Sequence, residues 1–381
     1  MKVYLDHAAT TPLDKRVLLA MTPHLTEVYA NPSSSHAFGR EALKSLDWAR
    51  DSIAQNLCVQ PSEVYFTSSG SESDSWAVKG CAAAVARATG KKHVLISSIE
   101  HHAVLHSGQA LEKEGFEVEY LPVDERGFVD ITALQNSLRT DTALVCVMTA
   151  NNEVGTLQPI EQICALTHQK GGVFFTDAVQ AAGAMDMSKI TSNADMVSFS
   201  AHKFYGPKGV GGLYIKKGTP ILPLVNGGEQ ERGLRGGTSC VAGAVGMATA
   251  LSLAVQEREQ NTARLYALRQ YFLERIYNEI EDVYLNGDEK NRLASNANLS
   301  FLGVEATSLL HRLDLQGVAV ATGSACASGS IEPSHVLTAM GLPKERVTSA
   351  LRFSFGKHNT EAEVDYTVET LKQSVASLRK K

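Results

Sequence analysis

No stretch of this 381-residue chain is apolar for long enough to cross a membrane. The longest, Val241 to Val255, has 15 residues, many of them Gly, Ala, Ser or Thr, whereas a spanning helix needs about 20 predominantly apolar ones. No secretory leader is expected either, because Met1-Lys2-Val3-Tyr4-Leu5-Asp6-His7 has no long apolar core behind a basic start. Cysteine is sparse, six in all and scattered, which argues against a disulfide framework and points to a reducing cytoplasm. Excess positive charge is lacking as well. A net charge of −5 argues against a general nucleic-acid binder, and the basic tail Arg379-Lys380-Lys381 is too short to reverse that. Neither an internal repeat nor a low-complexity tract occurs. His101, His102 and His106 have no second ligand cluster and no His-Glu-x-x-His spacing, so no metal is expected. His93, His102, His106 and His168 read as structural or surface residues, and Lys208 as part of a turn.

What the chain does have is size and 44% hydrophobic residues, enough for one large α/β domain and a smaller one. Six β-rich runs alternate with helical patterns: Glu63 to Thr67, His93 to Ser97, Ala143 to Met148, Gly172 to Thr176, Met196 to Ser200 and Gly212 to Ile215. That alternation predicts a mostly parallel, doubly wound sheet, whose ligand crevice lies beyond the carboxyl ends of its strands. Helical spacing links Phe38, Ala42, Leu46, Ala49, Ile53 and Leu57, then Leu265, Leu268, Phe272, Ile276 and Ile280, and finally Val364, Val368, Leu371, Val375 and Leu378. A change near residue 258 from a small-residue helix to a charged one is the best boundary. It gives a large domain over 14–257 and a small one made of 1–13 and 258–381.

Three strand ends carry chemistry. Thr67-Ser68-Ser69-Gly70-Ser71-Glu72-Ser73 precedes helix formers from Ala77 to Ala88, and Gly and hydroxyl residues between strand and helix make a phosphate cup. A simple N-cap accounts for Ser71 and Glu72 equally well. Asp177 follows the apolar Val173-Phe174-Phe175-Thr176, where a buried carboxylate needs a partner such as a protonated pyridine nitrogen, or else caps a turn. Ser200-Ala201-His202-Lys203 places a lysine where its pKa can fall and a Schiff base can form; a lone lysine would read as a surface residue. Phosphate cup, acid and lysine together read as a pyridoxal 5'-phosphate site. Separately, Cys326 sits in Ala321-Thr322-Gly323-Ser324-Ala325-Cys326-Ala327-Ser328-Gly329-Ser330, with no apolar side chain to pack its thiol into a core. Such a thiol is either a nucleophile that travels between substrate and acceptor or a solvent-exposed bystander.

Longer motifs then become specific. They include Tyr4-Leu5-Asp6-His7-Ala8-Ala9-Thr10-Thr11-Pro12, Asn31-Pro32-Ser33-Ser34, Glu100-His101-His102-Ala103-Val104-Leu105, Asn151-Asn152-Glu153-Val154-Gly155 and Asp177-Ala178-Val179-Gln180. Further on come Ser200-Ala201-His202-Lys203, Arg235-Gly236-Gly237-Thr238, Gly323-Ser324-Ala325-Cys326, Ser334-His335-Val336-Leu337 and Leu351-Arg352-Phe353-Ser354. In these segments, which span nearly the whole chain, the sequence resembles the cysteine desulfurases of the fold-type I, class V aminotransferase family.

The resemblance implies roles. Lys203 matches the lysine that holds the cofactor, His101 the imidazole that stacks on the ring and relays protons, and Asp177 the partner of the ring nitrogen. Gln180 and Asn152 match residues that touch the ring hydroxyl or the substrate, while Gly70, Ser71, Ser200 and His202 match the phosphate ligands. Thr238 resembles the threonine that reaches the neighbouring subunit's phosphate, which implies a homodimer. Arg352 resembles the arginine that forks the L-cysteine carboxylate, assisted by Asn31. Gly-Ser-Ala-Cys and the long stretch before Ser334 look like the long-loop group. There the Cys326 thiolate takes sulfur from L-cysteine as a persulfide and passes it to an iron–sulfur scaffold or a tRNA-thiolating enzyme. The related readings are a selenocysteine lyase, a lyase that frees sulfide, and an anchor for a sulfur-transfer assembly. Three departures stand out. The family's usual Gly-Ala-Thr-Glu-Ser is Ser69-Gly70-Ser71-Glu72-Ser73 here, with the hydroxyl kept, and Trp76 replaces a smaller residue. The sequence also ends at Lys381, so docking through a longer C-terminal segment is not expected.

Overall fold

The computed structural model describes residues 1–323 and 333–380, and Cys326 therefore lies outside the described residues. Twelve strands occur among them: β1 (Val3–Tyr4), β2 (Val64–Thr67), β3 (His93–Ser97), β4 (Glu117–Leu121), β5 (Thr142–Cys146), β6 (Val173–Asp177), β7 (Met196–Ser200), β8 (Gly211–Ile215), β9 (Val283–Asn286), β10 (Asn296–Phe301), β11 (Val318–Ala319) and β12 (Ala350–Ser354). Seven form one sheet in the order β2-β8-β7-β6-β5-β3-β4. Within it β4, β3, β5, β6 and β7 pair in parallel, while β8 runs against both β7 and β2. The expected mostly parallel, doubly wound α/β sheet is thus present, and the carboxyl ends of β2, β3, β5, β6 and β7 open on the same edge.

Strands β2, β3, β5, β7 and β8 are buried at every residue, as continuous apolar runs must be when helices cover both faces. On one face the Ala37–Leu57 helix packs Ala42, Leu46, Ala49, Ile53 and Leu57 into the core. On the other, Trp76, Val78, Cys81 and Val85 pack against Val94, Ile96 and Leu144. Phe38, expected in the first of these stripes, is instead 63% exposed, because the helix begins only at Ala37 and its first turn overhangs the core. The helix expected from Ala77 starts earlier, at Gly70. It passes through a π-turn at Trp76–Gly80, where Trp76 is fully buried and donates from Nε1 to Leu222 O at 2.9 Å.

A 39-residue helix, Val241–Glu279, connects this layer to a second one. Its first half, through Leu251, belongs to the core around the large sheet, and Leu268, Phe272, Leu273 and Ile276 belong to another. The composition change near residue 258 therefore falls inside one unbroken helix. The second core is built on the antiparallel sheet β12-β10-β9 and the Glu361–Arg379 helix. Val3 and Leu5 join it, since β1 pairs in parallel with β11. The chain start consequently runs from the second core across the edge where the large sheet's strands end.

Candidate active site

Each anticipated strand end delivers its side chain to that edge. Asp177 is the last residue of β6 rather than the one after it. It is 5% exposed, and its Oδ1 accepts from Val179 N at 2.8 Å. Burial pushes its carboxyl up to about 6, against the pull of the Val179 hydrogen bond and of the Lys203 charge. Two further buried acids crowd it. Asp74 accepts from Ser198 Oγ at 2.5 Å, and Glu100 Oε1 accepts from Met148 N at 2.7 Å. Both are held well above the usual carboxylate range, chiefly by burial, with the Asp177 charge adding to it. An acid so placed gains greatly from a nearby cation.

Lys203 ends the short 3-10 turn after β7. Its Nζ donates to Ala8 O at 2.6 Å and Ala9 O at 2.8 Å. The chain reverses behind it through Tyr205, a non-glycine residue at φ 66°. That left-handed geometry is costly for a bulky side chain, and Thr11 holds it: Tyr205 N donates to Thr11 Oγ1 at 2.8 Å, and Thr11 Oγ1 donates to His202 O at 2.8 Å. Gln180 Nε2 donates to Ala8 O at 2.9 Å. The segment Asp6 to Thr11 is thus a strap across the site, touching Lys203, Gln180 and His202.

His101 caps the His102–Lys113 helix by accepting from Ala103 N at Nδ1, 3.1 Å away. An acceptor nitrogen must be unprotonated, and burial first, then the Lys203 charge, pushes His101 down to about 4. His7 and His202 are likewise pushed down to about 4, mainly by burial. Because these folded values lie below the ordinary 6.5, the unfolded chain takes up the protons first. The stability they contribute is complete above about pH 6.5 and is lost as pH falls toward 4. In the apoprotein the urea midpoint should therefore fall across that window. His101→Gln should make the fall shallower, and an unchanged slope would remove His101 as a contributor.

At the phosphate cup, a Cβ on Gly70 would stand 2.8 Å from Val179 Cγ2 and 3.4 Å from Ser200 Cβ, so glycine lets the helix start lie against the β6 and β7 ends without displacing Val179. Ser200 is 1% exposed and its hydroxyl has no hydrogen-bond partner among the described residues. Ser71 is exposed, one residue into the helix. His202 Nδ1 lies 3.2 Å from Thr10 Oγ1. An orphaned buried hydroxyl, a close backbone approach and a helix start fit a phosphate, and the raised Asp177 fits a pyridinium. The residues present therefore fit pyridoxal 5'-phosphate.

Arg352, on β12, is 3% exposed. Its Nη2 pairs with Asp6 Oδ1 at 2.7 Å and its Nη1 donates to Asn152 O at 3.1 Å, while Nε has no partner. Asn152 thus meets Arg352 through its backbone. Asn31 stays in an exposed turn, its Oδ1 accepting from Ser33 N at 2.9 Å. Thr238 is exposed too, three residues beyond Arg235, whose Nε pairs with Glu72 at 2.8 Å. Asp6, Asp74 and Glu100 were not singled out as site residues in the sequence. The signal available for them was the acidic residue inside a longer motif or just inside a helix start, which by itself reads as a cap.

The family described as Aminotransferase class-V matches residues 3–367. A protein of Dictyoglomus turgidum named cysteine desulfurase IscS is 48% identical over 378 residues, covering 99% of this chain and 95% of that one. One of the same name from Methanosarcina thermophila is 47% identical over 377 residues, covering 99% and 93%. Among solved structures, a NifS-like protein superposes with a TM-score of 0.92 at 39% identity, over 99% of this chain and 100% of that one.

Proposed function

The chain belongs to the class-V aminotransferase family and is a pyridoxal-phosphate-dependent cysteine desulfurase, and from that premise we propose how its own residues divide the work. Lys203 would hold the cofactor and move the Cα proton of L-cysteine, Asp177 would partner the ring nitrogen, and His101 would serve as a neutral base beside the ring. When bound, the cofactor supplies the electron sink that makes the Cα–H bond of the substrate acidic. The carrying observation is convergence. Lys203, Asp177 and His101 come from three separate strand ends, and the charge of Lys203 acts on both of the others.

Gly70, Ser71, Ser200 and His202 hold the phosphate, Gln180 and Asn152 border the ring and substrate, and Arg352 takes the substrate carboxylate with help from Asn31. Asp6 is a positioning residue in this scheme, because it fixes one edge of the Arg352 guanidinium at 2.7 Å. Asp6→Asn should raise KM for L-cysteine about tenfold, equivalent to ~1.4 kcal/mol, with little change in kcat. A fall in kcat at unchanged KM would contradict the assignment.

Cys326 accepts the substrate's sulfur as a persulfide and hands it to an acceptor protein, an iron–sulfur scaffold or a tRNA-thiolating enzyme. The division into 14–257 and 1–13 with 258–381 follows the two cores joined by the long helix. A homodimer is supported by Leu18, Leu19, Leu25, Tyr29 and Trp48, apolar side chains left exposed near the chain start, and Thr238 would complete the partner's phosphate site. Unpaired Cys58, Cys81, Cys146, Cys164 and Cys240 fit a reducing cytoplasm, and no helix among the described residues is long and apolar enough to cross a membrane. The test is turnover of L-cysteine without reductant, followed by peptide mass spectrometry. One added sulfur on the Cys326 peptide and one alanine released per subunit are expected. Alanine formed with the Cys326 peptide unmodified would refute the persulfide route.

A further inference from the structure

Behind Lys203 a cavity of about 280 Å³ separates the large-sheet layer from the second core. Its charge is one-sided, since six lysines and arginines line it against two carboxylates, Asp14 and Glu257. Both carboxylates are already engaged. Lys357 Nζ lies 2.6 Å from Asp14 and 3.3 Å from Glu257, and Arg16 lies 2.7 Å from each.

Two of the lining cations, Arg269 and Arg292, are 1% and 5% exposed, and neither forms an ion pair among the described residues. Their contacts are neutral. Arg269 Nη1 donates to Leu293 O at 2.8 Å, and Arg292 Nη2 donates to Asn286 O at 3.1 Å, Asn296 Oδ1 at 3.2 Å and also Val154 O. Arg269 Nε and Arg292 Nε and Nη1 have no hydrogen-bond partner among the described residues. Carbonyl dipoles solvate a guanidinium without cancelling its charge, and a buried charge that keeps its ionisation favours a counter-ion.

We propose that this cavity binds a small organic carboxylate, its anion facing Arg269 and Arg292 and its apolar body against Leu253, Leu265 and Leu293. Size and lining select that class. At about 280 Å³ the space is large enough for a ring with one carboxylate. A planar carboxylate matches a guanidinium edge, and an inorganic oxyanion would leave the apolar wall uncovered. The cavity borders Lys203 and Gln180 but is not lined by Arg352, so it is separate from the position proposed for the substrate carboxylate.

The test is benzoate binding to the holoenzyme by titration calorimetry and thermal unfolding at fixed ionic strength. Benzamide serves as the neutral isostere and inorganic phosphate as the anion without an apolar body. Saturable benzoate binding with a raised Tm is expected, with no saturable response to the other two. Arg292→Met should weaken benzoate binding at least about tenfold. Leu253→Trp, which fills the space and leaves both arginines in place, should abolish it and keeps the test valid if Arg292→Met does not fold. Absence of saturable benzoate binding, an equal response to benzamide or phosphate, or unaltered binding in Leu253→Trp would overturn the proposal. Because binding and not desulfuration is read, failure here leaves the catalytic assignment untouched.

Discussion

Lys203→Ala is expected to lower alanine formation from L-cysteine by about 10²- to 10⁴-fold, the range for removal of a positioned acid–base group. It should also abolish borohydride-stable attachment of the cofactor. Both losses follow from position. The amine lies at the end of β7, within hydrogen-bond reach of the Ala8 and Ala9 carbonyls, and its charge bears on Asp177 and His101. A purely structural lysine would behave differently, because truncating it would cost local contacts and would show chiefly as reduced stability. Lys203→Arg keeps the positive charge and can satisfy the carbonyls, but its guanidinium stays protonated and cannot take up a proton. Restored folding without restored turnover in Lys203→Arg would show that the loss is one of amine chemistry and not of stability. A pyridoxyl group mapped to a different lysine after borohydride reduction would sink the assignment.

How the sequence anticipates this site depends on which interactions are local. The runs ending at Thr67, Ser97 and Ser200 match β2, β3 and β7 closely because strands buried on both faces must be continuously apolar. Strand β4 escaped that reading. It lies at the sheet edge with Glu117 and Glu119 exposed, and its mixed pattern lacks an apolar run. Lys203, Asp177 and the Gly70 loop are legible because each stands next to its own strand end. The strap is not, since Ala8 meets Lys203 across 195 positions and Asp6 meets Arg352 across 346. No spacing rule joins residues so distant; the pairing of β1 with β11 and the bridge from Asp6 to Ser354 of β12 bring them together. The raised Asp74 and Glu100 were hidden for a related reason: their burial depends on the closed sheet, which no single segment reveals.

Replacing Cys326 with Ala separates sulfur transfer from the steps before it. The substitution removes one nucleophile and leaves Lys203, Asp177, His101 and Arg352 unchanged, so L-cysteine should still bind and Lys203 should still exchange the Cα proton with solvent. The sulfur step balances only with the thiolate present. In the proposed scheme the Cys326 Sγ forms an S–S bond to the substrate sulfur as the substrate's Cβ–S bond breaks, that bonding pair stays with the carbon skeleton, and the skeleton takes up a proton to leave as alanine. Without Sγ, Cys81, Cys146 and Cys164 cannot accept sulfur in this way, because they are buried and their thiols are pushed up by burial, and the exposed Cys58 and Cys240 are not among the residues anticipated at the site. Alanine formation should therefore fall at least about 10²-fold while deuterium exchange at Cα persists. Serine in place of alanine should not rescue it, since a hydroxyl is not ionised near neutral pH and a thiolate is the reacting form. Near wild-type release of alanine and sulfide by Cys326→Ala would show that cysteine cleavage bypasses this thiol. The chain would then be a lyase that frees sulfide rather than a carrier that hands it on.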